Sequence, residues 1–197
     1  MLFEQMALEK MIRHISDTIV IMILEFLNIA ANLKKVSRQG WIDKLSIKNP
    51  ESVADHTFVM SIMGMILSDM QNYDTEKILK MIILHDLAES ITGDFTPEQK
   101  SKNEKKILEN KTMNNILSTL PENLNFQYIE IWNEFQKEET KEAQYVHQID
   151  KLEMALQAKI YSKEINSPEK INYFLNSVKT SIEDPNLLKL FEQISSQ

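Results

Sequence analysis

The chain contains no cysteine among its 197 residues. This excludes disulfide bonds, thiolate catalysis and cysteine-ligated zinc or iron–sulfur sites, and it suits a reducing, cytoplasmic environment. Positive charge is also scarce, since 22 Lys and Arg stand against 29 Asp and Glu, for a formal net charge of −7. No long basic run occurs. We therefore expect no nucleic acid among the partners of this protein.

Glycine is a third shortage, with Gly40, Gly64 and Gly93 as the complete set. Proteins built of strands and tight turns usually need more. Apolar residues make up 43% of the chain and recur at helical spacing. A capping residue precedes proline at 49–50, 96–97, 167–168 and 184–185, where helices can begin. The sequence thus predicts an all-α fold, a single-domain helical bundle over residues 1–197.

The predicted helices are separated by two loops of interest, at residues 35–48 and 92–97. The helices are expected at residues 2–14, 17–34, 50–71, 75–90, 97–119, 122–137, 140–165, 168–182 and 185–194. Loops beside a polar cluster are common places for substrate contacts.

The apolar run at residues 19–24 is the place to look for a membrane segment. Asp17, Glu25 and Asn28 flank it, and Glu4 and Glu9 suit a signal peptide badly. We interpret the run as an amphipathic or buried helix that is too short and too polar to cross a bilayer. No membrane partner is expected.

The adjacent pair His85-Asp86 is the most informative feature of the chain. It ends an apolar run at residues 78–84, and burying both side chains is costly unless something pairs with them. A divalent metal ion would do so, and His56 and Asp150 are further candidate ligands on two other predicted helices. The predicted inner face of the helix that carries His56 consists of Val53, Phe58, Val59, Ile62, Met63 and Ile66. From spacing alone, a metal site and a set of structurally paired core residues are about equally well supported.

Four strings of residues resemble a known family. They are 49–56 (NPESVADH), 84–89 (LHDLAE), 92–94 (TGD) and 148–153 (QIDKLE). In this order they resemble the motifs of the HD-domain phosphohydrolase superfamily, and within it the 5′-deoxynucleotidase branch of YfbR-like and HDDC2-like proteins. The resemblance covers about residues 26–161, so residues 1–25 are an N-terminal extension and residues 168–194 form C-terminal helices.

The resemblance implies one divalent metal ion per chain, bound by His56, His85, Asp86 and Asp150. Two imidazoles and two carboxylates suit Co²⁺, Mn²⁺, Fe²⁺, Zn²⁺ or Mg²⁺. Four protein ligands on a six-coordinate ion leave two positions for water and a substrate oxygen.

The resemblance also implies roles for two acidic residues that follow the metal ligands. Glu89 lies three residues after Asp86, on the same helix face. The family suggests that Glu89 is a general acid/base, and the alternative is a solvent-exposed residue at a helix end. Asp94 is expected to take part in catalysis and to contact the sugar 3′-hydroxyl, and the alternative is an ordinary turn residue.

Three further residues are expected to bind the substrate. The family has a phosphate-contacting Arg and a neighbouring Trp, which correspond to Arg38 and Trp41, although both suit ordinary surface and packing roles. Lys151 either neutralises phosphate charge or pairs with Glu153.

Taken together, the resemblance implies a metal-dependent phosphomonoesterase. It would hydrolyse deoxynucleoside 5′-monophosphates to a deoxynucleoside and phosphate, as a homodimer. One alternative is another HD phosphohydrolase, acting on nucleoside triphosphates or an alarmone. A second is a non-catalytic, metal-binding helical module, which would need neither Glu89 nor Asp94.

Overall fold

The computed structural model describes residues 2–165 and 167–196, with side chains described from residue 16 onward except at residue 166. Within these ranges the regular structure is helical and contains no strand, and an isolated antiparallel bridge joins Ser37 to Ser52. The predicted all-α class is confirmed.

The helices follow one another through short connections. They are α1 (Leu2–Ala31), α2 (Gln39–Leu45), α3 (Val53–Gln71), α4 (Thr75–His85), α5 (Glu89–Thr92), α6 (Lys102–Leu117), α7 (Glu122–Lys137), α8 (Lys141–Tyr161), α9 (Pro168–Lys179) and α10 (Pro185–Ser196). A 3₁₀ turn, Asn32–Lys35, follows α1.

Several helix ends differ from the prediction because side-chain caps decide them. Helix α3 begins after Ser52 rather than at Pro50, since Ser52 and Asp55 form a reciprocal capping box. Helix α6 begins after Ser101, which forms a second capping box with Glu104. The prolines at 168 and 185 do begin helices, as predicted.

Three further differences concern the continuity of the helices. The predicted loop 35–48 contains the short helix α2. The predicted helix 75–90 is interrupted after His85. Residues 86–88 form a turn, in which the Leu87 amide donates to the Leu84 carbonyl. The two predicted N-terminal helices form one continuous helix, α1.

Helices α3, α4 and α8 pack together at the centre of the fold. The buried residues of α3 are Val53, His56, Met60, Gly64 and Ser68. The predicted inner face is therefore wrong in part, because Phe58, Ile62 and Ile66 are exposed. Spacing of three to four residues from Val53 through His56 brings the histidine into the centre of the fold.

The outer part of α1 is apolar and exposed. Segment Ser16–Lys35 has the length and mean hydropathy, 1.5, of a membrane span, and 6% of it is buried. The expectation that it is too short and too polar for a bilayer is wrong by this measure, and it is not a buried helix. Core helices of soluble proteins and signal sequences meet the same criterion, so this is weak evidence for a span.

Candidate metal centre

The four predicted metal ligands come together where α3, α4 and α8 meet. His56 lies in the second turn of α3, His85 ends α4, Asp86 follows it, and Asp150 lies in the middle of α8. His56 Nε2 is 3.3 Å from Asp150 Oδ1, and His85 Nε2 is 3.1 Å from Asp86 Oδ2. The two imidazole centroids are 5.5 Å apart. Residues far apart in the sequence thus form one polar cluster.

The hydrogen bonds of the two imidazoles fit a metal site. His56 Nδ1 lies 2.5 Å from Glu153 Oε2, and His85 Nδ1 donates to the Ile82 carbonyl at 2.6 Å. Both Nε2 atoms are buried, and neither makes a well-formed hydrogen bond. Ligand atoms of His56, His85 and Asp86 all lie within 4.8 Å of one another. Unpaired imidazole nitrogens beside carboxylates are a donor set suited to a divalent ion.

The carboxylates of this cluster are held in their ionised form. Burial opposes ionisation of Asp86, but His85 and Arg38 outweigh it and hold its pKa well below the usual range. Burial also opposes ionisation of Asp150. The positive charge of Lys151 makes the largest contribution in the other direction, and the pKa of Asp150 falls well below its ordinary value. Ionised carboxylates are the form that binds a metal.

Glu89, the predicted acid/base, begins α5 and is 1% exposed. Burial raises the pKa of its carboxyl well above the ordinary value, and the nearby Asp86 and Asp94 raise it further, against the opposing charge of Lys105. Lys105 Nζ donates to Oε1 at 3.0 Å, whereas Oε2 is buried without a hydrogen-bond partner. Glu89 is therefore not a solvent-exposed residue at a helix end. A carboxyl that retains its proton can act as a general acid.

Asp94 and Arg38 both line the first of the cavities next to this cluster. The backbone amide of Gln39 donates to Asp94 Oδ2 at 2.8 Å, and Lys105 Nζ is 3.8 Å from Oδ1. Arg38 Nη1 donates to Asp86 Oδ2 at 3.5 Å and is largely buried. The guanidinium therefore lies beside a proposed metal ligand, where it can reach a phosphate bound to the same ion.

Trp41 is mostly a packing residue. It is 2% exposed, its indole Nε1 donates to Glu51 Oε1 at 2.8 Å, and its ring packs on Tyr161 and Phe174. Trp41 nevertheless contributes to the wall of the cavity described next. Its contact with a substrate would be through the ring, because the indole N–H is already paired.

Two cavities lie next to the cluster of proposed metal ligands. The first, of about 510 Å³, we call the aromatic cavity; it is lined by Arg38, Gly40, Trp41, Lys44, Asp94, Phe95, Thr96, Pro97, Lys100, Lys102, Lys105, Lys151, Met154 and Phe174. The second, of about 520 Å³, is more polar and includes His85, Asp86 and Asp150. Lys102, Lys105 and Lys151 line both. These three lysines thus form a positively charged wall between the aromatic cavity and the cluster of proposed metal ligands.

Lys151, Lys105 and Glu153 complete the cluster. The sequence did not indicate a site role for Lys105 or Glu153. Lys151 Nζ donates to Asp150 Oδ2 at 2.9 Å, and no ion pair links Lys151 to Glu153 among the described residues. Lys105 was missed because α6 carries no motif. Glu153 lies inside a matched string, and its position three residues after Asp150 could have indicated a shared helix face.

Comparisons with known proteins show the family to which the chain belongs. A profile of the HD domain matches residues 30–190 of the chain. The 5′-deoxynucleotidase HDDC2 of Dictyostelium discoideum is 37% identical over 184 residues, covering 88% of this chain and 96% of the relative. The 5′-deoxynucleotidase hdd1 of Schizosaccharomyces pombe is 39% identical over 157 residues, covering 77% and 78%.

Solved structures are similar over most of the chain. The PH0347 protein of Pyrococcus horikoshii OT3 superposes with a TM-score of 0.73 at 30% identity, over 88% of this chain and 96% of that one. A conserved hypothetical protein of Pyrococcus furiosus gives a TM-score of 0.74 at 28% identity, over 88% and 99%. From the profile match and from these relatives, we conclude that the chain belongs to the HD-domain family of metal-dependent phosphohydrolases.

Proposed function

We propose that the protein is a 5′-deoxynucleotidase, which hydrolyses deoxynucleoside 5′-monophosphates to a deoxynucleoside and inorganic phosphate. One observation carries the proposal: two buried imidazole nitrogens without hydrogen bonds lie beside the carboxylate of Asp86. Burial raises the pKa of the Glu89 carboxyl, and the charge of Asp86 helps to raise it further. Arg38, which contacts Asp86, also lines the aromatic cavity. The names of the relatives, which are 5′-deoxynucleotidases, support the same substrate class.

Each part of such a substrate has a matching group in the chain. The phosphate would lie between Arg38 and Lys151, which supply positive charge beside the metal ligands. The sugar 3′-hydroxyl would donate to Asp94, which the Gln39 amide holds in place. The base would enter the cavity and pack against the wall formed by Trp41 and its aromatic neighbours.

The chemistry follows from these positions. A divalent ion held by His56, His85, Asp86 and Asp150 would supply a water nucleophile near neutral pH and Lewis-acid polarisation of the phosphate. The bond from phosphorus to the water oxygen forms, the bond from phosphorus to the 5′-oxygen breaks, and the proton that the attacking water loses would restore the Glu89 carboxyl. Glu89, whose raised pKa keeps a proton available, protonates the departing 5′-oxygen. Arg38 stabilises charge on the phosphoryl oxygens.

The non-catalytic alternative explains less. A purely structural metal site would not need a buried carboxyl such as Glu89, which keeps one oxygen free of hydrogen bonds and is affected by the charge of Asp86. Another HD phosphohydrolase activity would use the same residues with a larger substrate, so substrate comparison is the test.

The experiment is a phosphate-release assay with metal-free protein and added Co²⁺, Mn²⁺, Mg²⁺ or Zn²⁺. Deoxynucleoside 5′-monophosphates are compared with ribonucleoside 5′-monophosphates, 3′-monophosphates, nucleoside triphosphates and an alarmone. We expect metal-dependent release that is fastest with the 5′-deoxy substrates. Faster turnover of triphosphates or of the alarmone would assign the other activity, and no turnover of any substrate would favour the non-catalytic module.

We also propose one ion per chain, held by the four ligands. Elemental analysis after exhaustive dialysis gives the stoichiometry, and the activity series ranks the metals. A ratio clearly different from one per chain would contradict the proposed site.

A homodimer and a cytoplasmic location are further proposals. Helix α3 presents an exposed apolar stripe composed of Phe58, Ile62, Met65, Ile66 and Met70, and the resemblance to dimeric family members makes a second copy the proposed occupant. Light scattering should give twice the chain mass, and Ile66→Glu should yield a monomer while the exposed control Asn115→Glu stays dimeric. The absence of cysteine supports the cytoplasm, which subcellular fractionation would test.

A further inference from the structure

We propose that Glu153 is a positioning residue that orients the metal ligand His56 and strengthens metal binding through it. The inference rests on the proposed metal-dependent function. Glu153 would not touch the ion or the substrate, and it would act by fixing which nitrogen of His56 faces the metal.

The contact between the two side chains is close and isolated from water. Glu153 Oε2 lies 2.5 Å from His56 Nδ1, on the side of the ring opposite Nε2. His56 is fully buried and Glu153 is 1% exposed. With Nδ1–H donated to Glu153, the lone pair of Nε2 is left for the metal, 3.3 Å from Asp150 Oδ1.

Helix geometry joins this contact to the metal ligands. Glu153 lies three residues after Asp150 on α8, so both carboxylates share one face of the helix. That face provides a proposed ligand to the ion and, one turn later, a support for a second ligand. The two carboxylates have different roles because they lie at different nitrogens of the His56 imidazole: Asp150 is next to Nε2 and Glu153 is next to Nδ1.

Glu51 closes the remaining side of this contact. Its Oε1 accepts from Trp41 Nε1 at 2.8 Å, and its backbone amide donates to the Tyr161 hydroxyl at 2.8 Å. Ligand atoms of Glu51, His56 and Glu153 lie within 4.8 Å of one another. Across the described residues, His56 is the sole hydrogen-bond partner of the Glu153 carboxylate, whose Oε1 is buried without one.

A competing arrangement has to be distinguished. Glu51, His56 and Glu153 could themselves hold an ion through Nδ1. In that case Glu153 would be a ligand, and its removal would abolish binding instead of weakening it. A carboxylate that supports a ligating imidazole typically changes metal affinity about tenfold to a hundredfold.

The experiment measures Co²⁺ binding to the metal-free full chain by absorption titration. The variants are Glu153→Ala and Glu153→Gln, with Glu142→Gln as a matched control, because Glu142 is a buried carboxylate on the same helix, paired with Lys141. We expect affinity about ten- to a hundredfold weaker for Glu153→Ala. Glu153→Gln should lose less, since its amide oxygen still accepts from Nδ1–H, and Glu142→Gln should match the parent. Circular dichroism verifies that each variant is folded.

A second measurement tests orientation without catalysis. In ¹⁵N-histidine NMR spectra, the parent should give a low-field proton on His56 Nδ1, which Glu153→Ala removes and Glu142→Gln retains. This holds whether or not the protein turns over nucleotides, so failure of the proposed function remains distinguishable. Unchanged affinity and an unchanged proton in Glu153→Ala would overturn the proposal. Complete loss of Co²⁺ binding in Glu153→Gln would overturn it too, because Glu153 would then be a ligand.

Discussion

Lys105 donates to Glu89 across 3.0 Å and so ties helix α6 to the short helix α5 beside the metal cluster. The same ammonium lies 3.5 Å from Glu109 and 3.8 Å from Asp94. The carboxyl proposed as the proton donor is therefore held by a residue that binds no metal.

Lys105→Met should lower kcat while leaving metal content unchanged. Without the ammonium, Glu89 loses its fixed position, and misplacement of a reacting group by about 1 Å can cost about a hundredfold in rate. Steady-state kinetics and elemental analysis measure the two effects. Lys111→Met, at an exposed site of the same helix, is the control and should behave like the parent.

Asp86→Ala should lose nearly all bound metal after dialysis. This carboxylate follows His85 directly and lies within 4.8 Å of the proposed ligand atoms of both histidines. Elemental analysis provides the measurement, and Asp55→Ala, which removes a helix cap on α3 but no ligand, should retain the ion. Full metal content in Asp86→Ala would contradict the site.

Glu89→Ala should retain the metal and the fold but lose most turnover. General acid/base groups contribute about a hundredfold to ten-thousandfold to rate, and Glu89→Gln should be similarly impaired because the N–H of an amide is too weakly acidic to protonate the leaving oxygen. Turnover at the parent rate in either variant would leave Glu89 as a buried structural residue.

Substrate choice should depend on Asp94. We expect kcat/KM to favour deoxy over ribo 5′-monophosphates by about tenfold to two-hundredfold, the usual range for exclusion of one small group. Asp94→Asn should lower the rate with the deoxy substrate, because the amide is a weaker acceptor for the 3′-hydroxyl. Equal values for the two sugars in the parent would reject the deoxynucleotidase assignment.

Gly64 allows α3 and α4 to approach closely. A Cβ atom at this position would collide with Ile82 Cδ1 in a fully buried region. Gly64→Ala should therefore lower the free energy of unfolding by about 1–3 kcal/mol, as overpacking does. Gly40→Ala meets nothing within 4 Å and should stabilise α2 by up to about 1 kcal/mol. Urea denaturation compares the two variants.

The four proposed metal ligands could be selected from the sequence because polar residues on apolar helices need a partner. His85, Asp86, His56 and Asp150 stand out for that reason, and the resemblance then favours a metal site over structurally paired core residues. Lys105 could not be found in this way. It is one of several lysines on a polar helix, and only the packing of α6 against α5 brings it to Glu89.

The face of α3 was predicted wrongly for a related reason. This helix is apolar on more than one side, so periodicity alone does not decide which side is buried. Phe58 and Ile66 read as core residues, yet they lie outside, while Gly64 and Ser68 lie inside. Small residues are selected there by the close approach of α4, which is a property of the tertiary structure.

The positions of the two tryptophans give the protein an internal optical reporter. Trp41 contributes to the wall of the aromatic cavity, whereas Trp132 is buried in α7 and donates its indole proton to Asn110 of α6. A base entering the cavity would stack near one indole and leave the other unchanged. Intrinsic fluorescence should therefore change when a nucleotide binds. In Trp41→Phe only the emission of Trp132 remains, and it should not change on binding.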